Sequence, residues 1–214
     1  AHPERPLPRG LLEVATVRRV IHAGALVMLG YSGVAYFYAG FPAASLYLIS
    51  TVFLWLMFKE FYIGSWLARI PILYAITHQV VMLPLVAFCT TLGRPESIGD
   101  PMTWITASMA LGSFFTYEIC RKLDPEAPRI LDTYLIHHGR IATSFFVVCT
   151  CALAAWASYR VGMHKLLWPA NAIVLASLSL LFVAPRKYKV VEAIATLSLV
   201  LHLWGHTLRY FIGC

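Results

Sequence analysis

With 59% hydrophobic residues, 13% charged residues and a mean hydropathy of +0.71, the 214-residue chain carries more apolar surface than a soluble core of its size can bury, which excludes a soluble globular protein. Its formal net charge is +7, from 17 Lys and Arg against 10 Asp and Glu. The basic residues stand in separate short loops and line no helix face, which excludes a nucleic-acid footprint.

A helix that crosses a bilayer takes about 20 mostly apolar residues. In chain order, residues 17–39, 43–58, 70–92, 102–120, 141–160, 166–184 and 190–212 meet that demand. The sequence therefore predicts an all-α, polytopic membrane bundle of seven helices, a single domain over residues 1–214. The shortest span, 43–58, is expected to continue into the region from Lys59 to Trp66. Turn chemistry separates the spans at Gly40-Phe41-Pro42, Gly93-Arg94-Pro95, Asp124-Pro125 with Pro128, Gly162, and Pro185 ahead of a basic run. No internal repeat or low-complexity tract is visible. The opening residues lack the basic-then-apolar pattern of a signal peptide, so the first span is expected to be retained.

Assigning the loops alternately to two sides sorts the basic residues. Arg5, Arg9, Arg18, Arg19, Lys59, Arg69, Arg121, Lys122, Arg129, Arg140, Arg186, Lys187 and Lys189 fall on one side; Arg94, Arg160, Lys165 and Arg209 fall on the other. Cytoplasmic loops carry the positive excess, so the N-terminus is expected in the cytoplasm and Cys214 across the membrane. The five cysteines, Cys89, Cys120, Cys149, Cys151 and Cys214, form no C-x-x-C pair, and within apolar spans they read as small hydrophobes.

Ionisable residues at membrane depth usually face a bundle interior and mark a site. The first cluster runs from Lys59 to Pro71, with Tyr74 and His78 one and two turns further on. It reads either as an interfacial anchor, in which Lys59 and Arg69 snorkel beside Tyr62 and Trp66, or as a functional loop in which Lys59 holds an anion. The second runs from Tyr117 to Glu126 and from Asp132 to Arg140. Glu118 and Lys122 share a helix face there, and the loop concentrates carboxylates and cations of the kind that hold Mg²⁺ and a departing diphosphate. The third, His202-Leu203-Trp204-Gly205-His206, has i,i+4 histidines. That spacing suits a metal or haem. No second helix offers the two His about fourteen residues apart that paired haems need, so no haem is expected and core histidines are the better reading.

Three stretches carry a family resemblance. Arg5-Pro6-Leu7-Pro8-Arg9-Gly10 is similar to the segment that follows the first Asp-rich loop in the UbiA superfamily of intramembrane prenyltransferases. Met57-Phe58-Lys59-Glu60-Phe61-Tyr62 through Tyr74 and His78 resembles that family's loop after helix four. Phe115 to Lys122 with Asp132-Thr133-Tyr134, ending at Gly139, resembles the second motif of a divergent bacterial branch.

The resemblance implies helices three to nine of a nine-helix bundle in a bacterial inner membrane, with two helices and the first Asp-rich motif absent from this sequence. It also implies transfer of an isoprenyl group from its diphosphate to a lipophilic acceptor, with Mg²⁺ as cofactor. The residues it implies are Glu118, Asp124 and Asp132 as catalytic carboxylates, Glu118 and Asp124 as metal ligands, and Lys59, Tyr62, His78, Arg121, Lys122, Tyr134 and Arg140 as substrate-binding groups. Position 122 is Lys where many members place a second carboxylate, and the first motif is missing, so the chain is expected to be incomplete as an enzyme. The alternative is a non-catalytic scaffold, or a lipid-, quinone- or pigment-binding subunit, within a larger respiratory or photosynthetic complex. Membrane lipids are partners under either reading, other membrane subunits under the second, and nucleic acid under neither.

Overall fold

The structure is a computed structural model that describes residues 10, 12–127 and 133–212, with side chains through Gly205. Its described elements are all helical: α1 (Val14–Phe58), α2 (Gly64–Leu67), α3 (Pro71–Gln79), α4 (Met82–Thr91), α5 (Pro101–Arg121), α6 (Tyr134–Arg160), α7 (His164–Ser177), α8 (Leu180–Val183) and α9 (Tyr188–Ile212), joined in part by short 3₁₀ turns. Four helical stretches are long and apolar enough to cross a membrane: Val14–Phe58, Pro71–Thr91, Tyr134–Arg160 and His164–Val183. By composition this is a membrane protein. Large apolar side chains such as Phe37, Tyr38, Ile141 and Val183 stand almost fully exposed, a surface that suits lipid better than water.

α1 is not one rod. Gly40 takes φ 75° and ψ −178°, a left-handed conformation open to a residue without Cβ, and Pro42 follows it at the start of a second arm. In a straight helix Tyr31 and Tyr47 would lie about 24 Å apart along the axis. Their ring centroids are instead 4.9 Å apart, and those of His22 and Trp55 are 5.5 Å apart. Residues 14–39 and 41–58 therefore form an antiparallel hairpin with its corner at Gly40.

Gly139 repeats the device inside α6 with φ 71° and ψ 176°. The Thr143 hydroxyl donates to the carbonyls of Tyr134 (3.1 Å) and Gly139 (2.7 Å), so residues 134–138 fold back onto the start of the long arm. Proline causes the third interruption: Pro84 has no N–H to offer the Val80 carbonyl, and the helix loosens between α3 and α4.

α5 is the central helix. The Asp100 carboxylate caps its N-terminus by accepting from the Met102 N–H (2.9 Å), and Pro101 supplies a preset first turn. α5 packs against α6 at backbone distance, because a Cβ at Gly112 would lie 2.8 Å from Ala154 N and 2.9 Å from Thr150 O. One turn on, the hydroxyls of Thr116 and Thr150 meet at 2.8 Å, and Cys151 Sγ lies 3.6 Å from Thr116 Oγ1. Small residues that admit close backbones, with a hydroxyl pair beside them, are how helices associate where lipid removes the hydrophobic drive.

The helical runs alternate between two ends. One end joins Ala75 of α3, Ile119, Cys120 and Leu123 at the close of α5, Tyr134 of α6, Leu181 of α8 and Val191 of α9 in one buried cluster. At the other, Ala39, Ala43 and Ala44 of the hairpin corner pack on Ala87 and Phe88. Ile105 and Met109 pack there on Ala157, Met163 and Leu167. By chain position, Arg18, Arg19, Lys59, Arg69, Arg121, Lys122, Arg140, Arg186, Lys187 and Lys189 belong to the first end. The second end holds Arg94, Arg160, Lys165 and Arg209.

Candidate functional site

The densest polar constellation among the described residues lies where α5 ends. Its last turn places Glu118, Arg121 and Lys122 together: Arg121 Nη2 is 2.6 Å from Glu118 Oε2, and Lys122 Nζ is 2.7 Å from Glu118 Oε1. The Glu118 side chain is 15% exposed, against 47% and 40% for its partners, so the carboxylate is the less exposed member and the cations reach further into solvent. Basic groups at a helix C-terminus also complement its dipole. The Lys122 ammonium stands 5.4 Å above the Tyr134 ring, and the Arg121 guanidinium lies 6.0 Å from that of Tyr117. Tyr134 is buried at the fold-back that Gly139 creates.

Asp124 begins the following loop, where its Oδ1 accepts from the Glu126 N–H at 2.9 Å. Desolvation first, and the Asp124 carboxylate second, hold the phenol of Tyr188, at the start of α9, above its ordinary value. Arg186 Nε donates to Glu126 Oε1 at 3.0 Å and ties the same loop to the approach of α9. Arg140 is exposed at this end. Asp132, expected as a third carboxylate, lies outside the described residues.

The first sequence cluster reaches this end by another route. Glu60, Phe61 and Tyr62 form a left-handed turn with φ of 49°, 53° and 60°, three successive non-glycine residues in a region that costs about 1–2 kcal/mol each. The Glu60 side chain folds over Gly64, where a Cβ would collide with it. Phe61 meets His78 edge-on at 5.6 Å, and His78 stacks on Tyr74 at 4.1 Å with its Nδ1 2.7 Å from the Tyr74 carbonyl. Tyr62 is 72% exposed. Lys59 turns back to α1, its ammonium 5.2 Å from the Trp55 ring centroid and 5.0 Å from that of Phe58. Lys59, Tyr62 and His78 thus share an end of the bundle with Glu118, through α3 packed on α5, but Lys59 and His78 spend their side-chain contacts on α1, α3 and the turn itself.

The expected metal ligands can be tested on this geometry. Each Glu118 oxygen already faces a cation, and Asp124 Oδ1 accepts from a backbone N–H. Among the described residues no three His, Cys, Asp or Glu come together as a metal site. As folded, the described carboxylates do not fit Mg²⁺, which takes oxygen ligands in near-octahedral array. What the cluster can do is present two fixed cations to an anion.

In the third cluster, His202 is buried between α7 and α9, its Nδ1 2.7 Å from the Ser198 carbonyl and its Nε2 3.5 Å from Asn171 Nδ2. The side chain of His206 lies outside the described ones. Sequence reasoning missed Arg186 as the partner of Glu126 in the α5 loop, since a contact across sixty residues leaves no local signal. It also missed Gly112 and Thr116, whose small-xxx-small spacing is a signal that was there to find.

Comparison with known proteins finds no family model that matches the chain, no similar curated protein and no similar solved structure.

Proposed function

We propose that the chain is a seven-crossing UbiA-like bundle that binds an isoprenyl diphosphate at its basic, cytoplasmic end. The observation that carries this reading is the clamp of Arg121 and Lys122 on Glu118 at one end of an all-helical bundle with an apolar surface. Counting the α1 hairpin as two crossings, and α5 and α9 as one each, gives seven, with the positive excess on the side that the positive-inside rule assigns to the cytoplasm. The membrane is a bacterial inner membrane on the strength of the same resemblance.

In this reading the prenyl chain lies among apolar helices and its diphosphate meets Arg121 and Lys122, with Tyr134 beneath them. Transfer breaks the C1–O bond, the electron pair leaving with the diphosphate. The two cations neutralise that charge. The allylic cation is then captured by a carbon of a lipophilic acceptor, which loses a proton.

The test is retention of a radiolabelled prenyl diphosphate by the chain in liposomes. The paired variant Arg121→Gln, Lys122→Gln is expected to lose it while still inserting in the membrane, and equal retention would remove the reading.

A second reading draws on the same cluster. Two cations occupy Glu118 and no three His, Cys, Asp or Glu come together among the described residues, an arrangement that also suits a bundle kept as a scaffold or as a lipid-, quinone- or pigment-binding subunit. Failure of both the native chain and the paired variant to bind any prenyl diphosphate would favour it.

A further inference from the structure

The open side of the α1 hairpin carries a site that the α5 cluster does not use. We propose that the groove between the two arms binds an anionic phospholipid, with an acyl chain in its apolar slot and the phosphate against Lys59 at the basic end.

The slot has a volume of about 370 Å³ and is walled by His22, Leu26, Leu29, Val52 and Trp55. That size falls within the range of small-ligand sites. A smaller slot of about 190 Å³ shares Ala25, Thr51 and Trp55 with it, which leaves room for a second chain. Leu26 and Val52 are 69% and 49% exposed, so the slot opens sideways to the bilayer and its occupant arrives from lipid.

Charge at the slot's end narrows the occupant. The Lys59 ammonium sits 5.2 Å from the centroid of the Trp55 ring that walls the slot, and no carboxylate pairs with it among the described residues. His22 meets Trp55 edge-on at 5.5 Å, and its Nδ1 lies 2.6 Å from the Arg18 carbonyl. An uncharged hydrocarbon would leave the Lys59 cation unused, and a zwitterionic headgroup would bring it no net charge. A phosphate bearing net charge, attached to a chain, satisfies both halves of the groove, as basic pockets between membrane helices do for anionic headgroups. The assignment rests on the hairpin alone and stands apart from the diphosphate reading.

Trp55 is its own reporter. The chain and its Trp55→Phe variant are placed in phosphatidylcholine bilayers containing equal mole fractions of brominated-chain phosphatidylglycerol or brominated-chain phosphatidylcholine, and the Trp55 component is taken as the difference in emission. Brominated phosphatidylglycerol is expected to quench that component about fivefold more effectively. Lys59→Gln should remove the preference and Lys59→Arg should keep it, with inorganic phosphate in solution having no effect. Equal quenching by the two lipids, or a preference that survives Lys59→Gln, overturns the proposal. A preference abolished by inorganic phosphate overturns the lipid assignment in favour of a free-phosphate site. Should Trp55→Phe not fold, native mass spectrometry of the detergent-released protein separates the same outcomes: phosphatidylglycerol retained by the chain and lost from Lys59→Gln supports the proposal, and equal retention refutes it.

Discussion

Glu118 and Lys122 face each other across one turn of α5 with Nζ 2.7 Å from Oε1, and the remaining carboxylate oxygen is taken by Arg121 at 2.6 Å. One anchor therefore fixes two cations at the helix terminus. An exposed pair of this type contributes only about 0.3–0.5 kcal/mol to stability, so its main effect is on where positive charge is held.

The α5–α6 crossing depends on the missing side chain of Gly112. Its Cβ would press on backbone atoms of Ala154 and Thr150, which no rotamer change relieves. Gly112→Ala is expected to cost about 1–3 kcal/mol, and Gly112→Leu to separate the helices. Thr116→Val removes the hydroxyl pair and the Cys151 contact at little change of volume and should cost about 0.6 kcal/mol. Thermal unfolding in a fixed detergent measures all three; a Gly112→Leu protein as stable as the native one would refute the crossing.

Two substitutions at positive φ should act with opposite sign. Gly40→Ala puts a Cβ-bearing residue at positive φ and is expected to destabilise by about 1 kcal/mol, whereas Tyr62→Gly removes left-handed strain from an exposed residue and should stabilise by a similar amount. The same unfolding assay reads both, and shifts of the same sign would contradict the backbone geometry.

These positions also show what the sequence could and could not convey. Gly40-Phe41-Pro42 was legible as a break because a glycine followed closely by proline is local chemistry. The resulting hairpin and the basic end both follow from it and from the charge count. The turn at Glu60 to Tyr62 was not legible, since three non-glycine residues at positive φ go against local preference and are held there by Phe61 packing on Phe53 and His78. At the α5 end, the pairing of Glu118 with Lys122 was visible from i,i+4 spacing. That Arg121 would take the other oxygen depended on side-chain placement, which spacing does not specify.

Tyr188 offers a pH test. Its phenol is held above the ordinary value of 10.0, by desolvation first and by Asp124 second. A raised folded value means that the stability it contributes is complete below pH 10 and is lost as the pH rises through the folded value. The tyrosinate absorbance difference between the chain and Tyr188→Phe should accordingly have its midpoint above pH 10, and Asp124→Asn should lower it. A midpoint at or below 10 would refute this environment for Tyr188.

Sidedness follows from the charge asymmetry. In a Cys-free background, cysteines placed at Arg94 and Lys187 are expected to react with an impermeant label from opposite faces of the membrane, position 187 from the cytoplasm. Labelling of both from one face would remove the crossing pattern on which the proposed site depends.

The central claim is that Arg121 and Lys122, rather than a metal on Glu118, receive the diphosphate. Equilibrium binding of a prenyl diphosphate to the chain in liposomes, with and without Mg²⁺, addresses it directly when repeated with Glu118→Gln. Removing the carboxylate frees both cations, so metal-free affinity should rise by about fivefold, the equivalent of about 1 kcal/mol for an exposed charge pair. Binding that needs Mg²⁺ in the native chain and disappears in Glu118→Gln would make Glu118 a metal ligand and contradict the account.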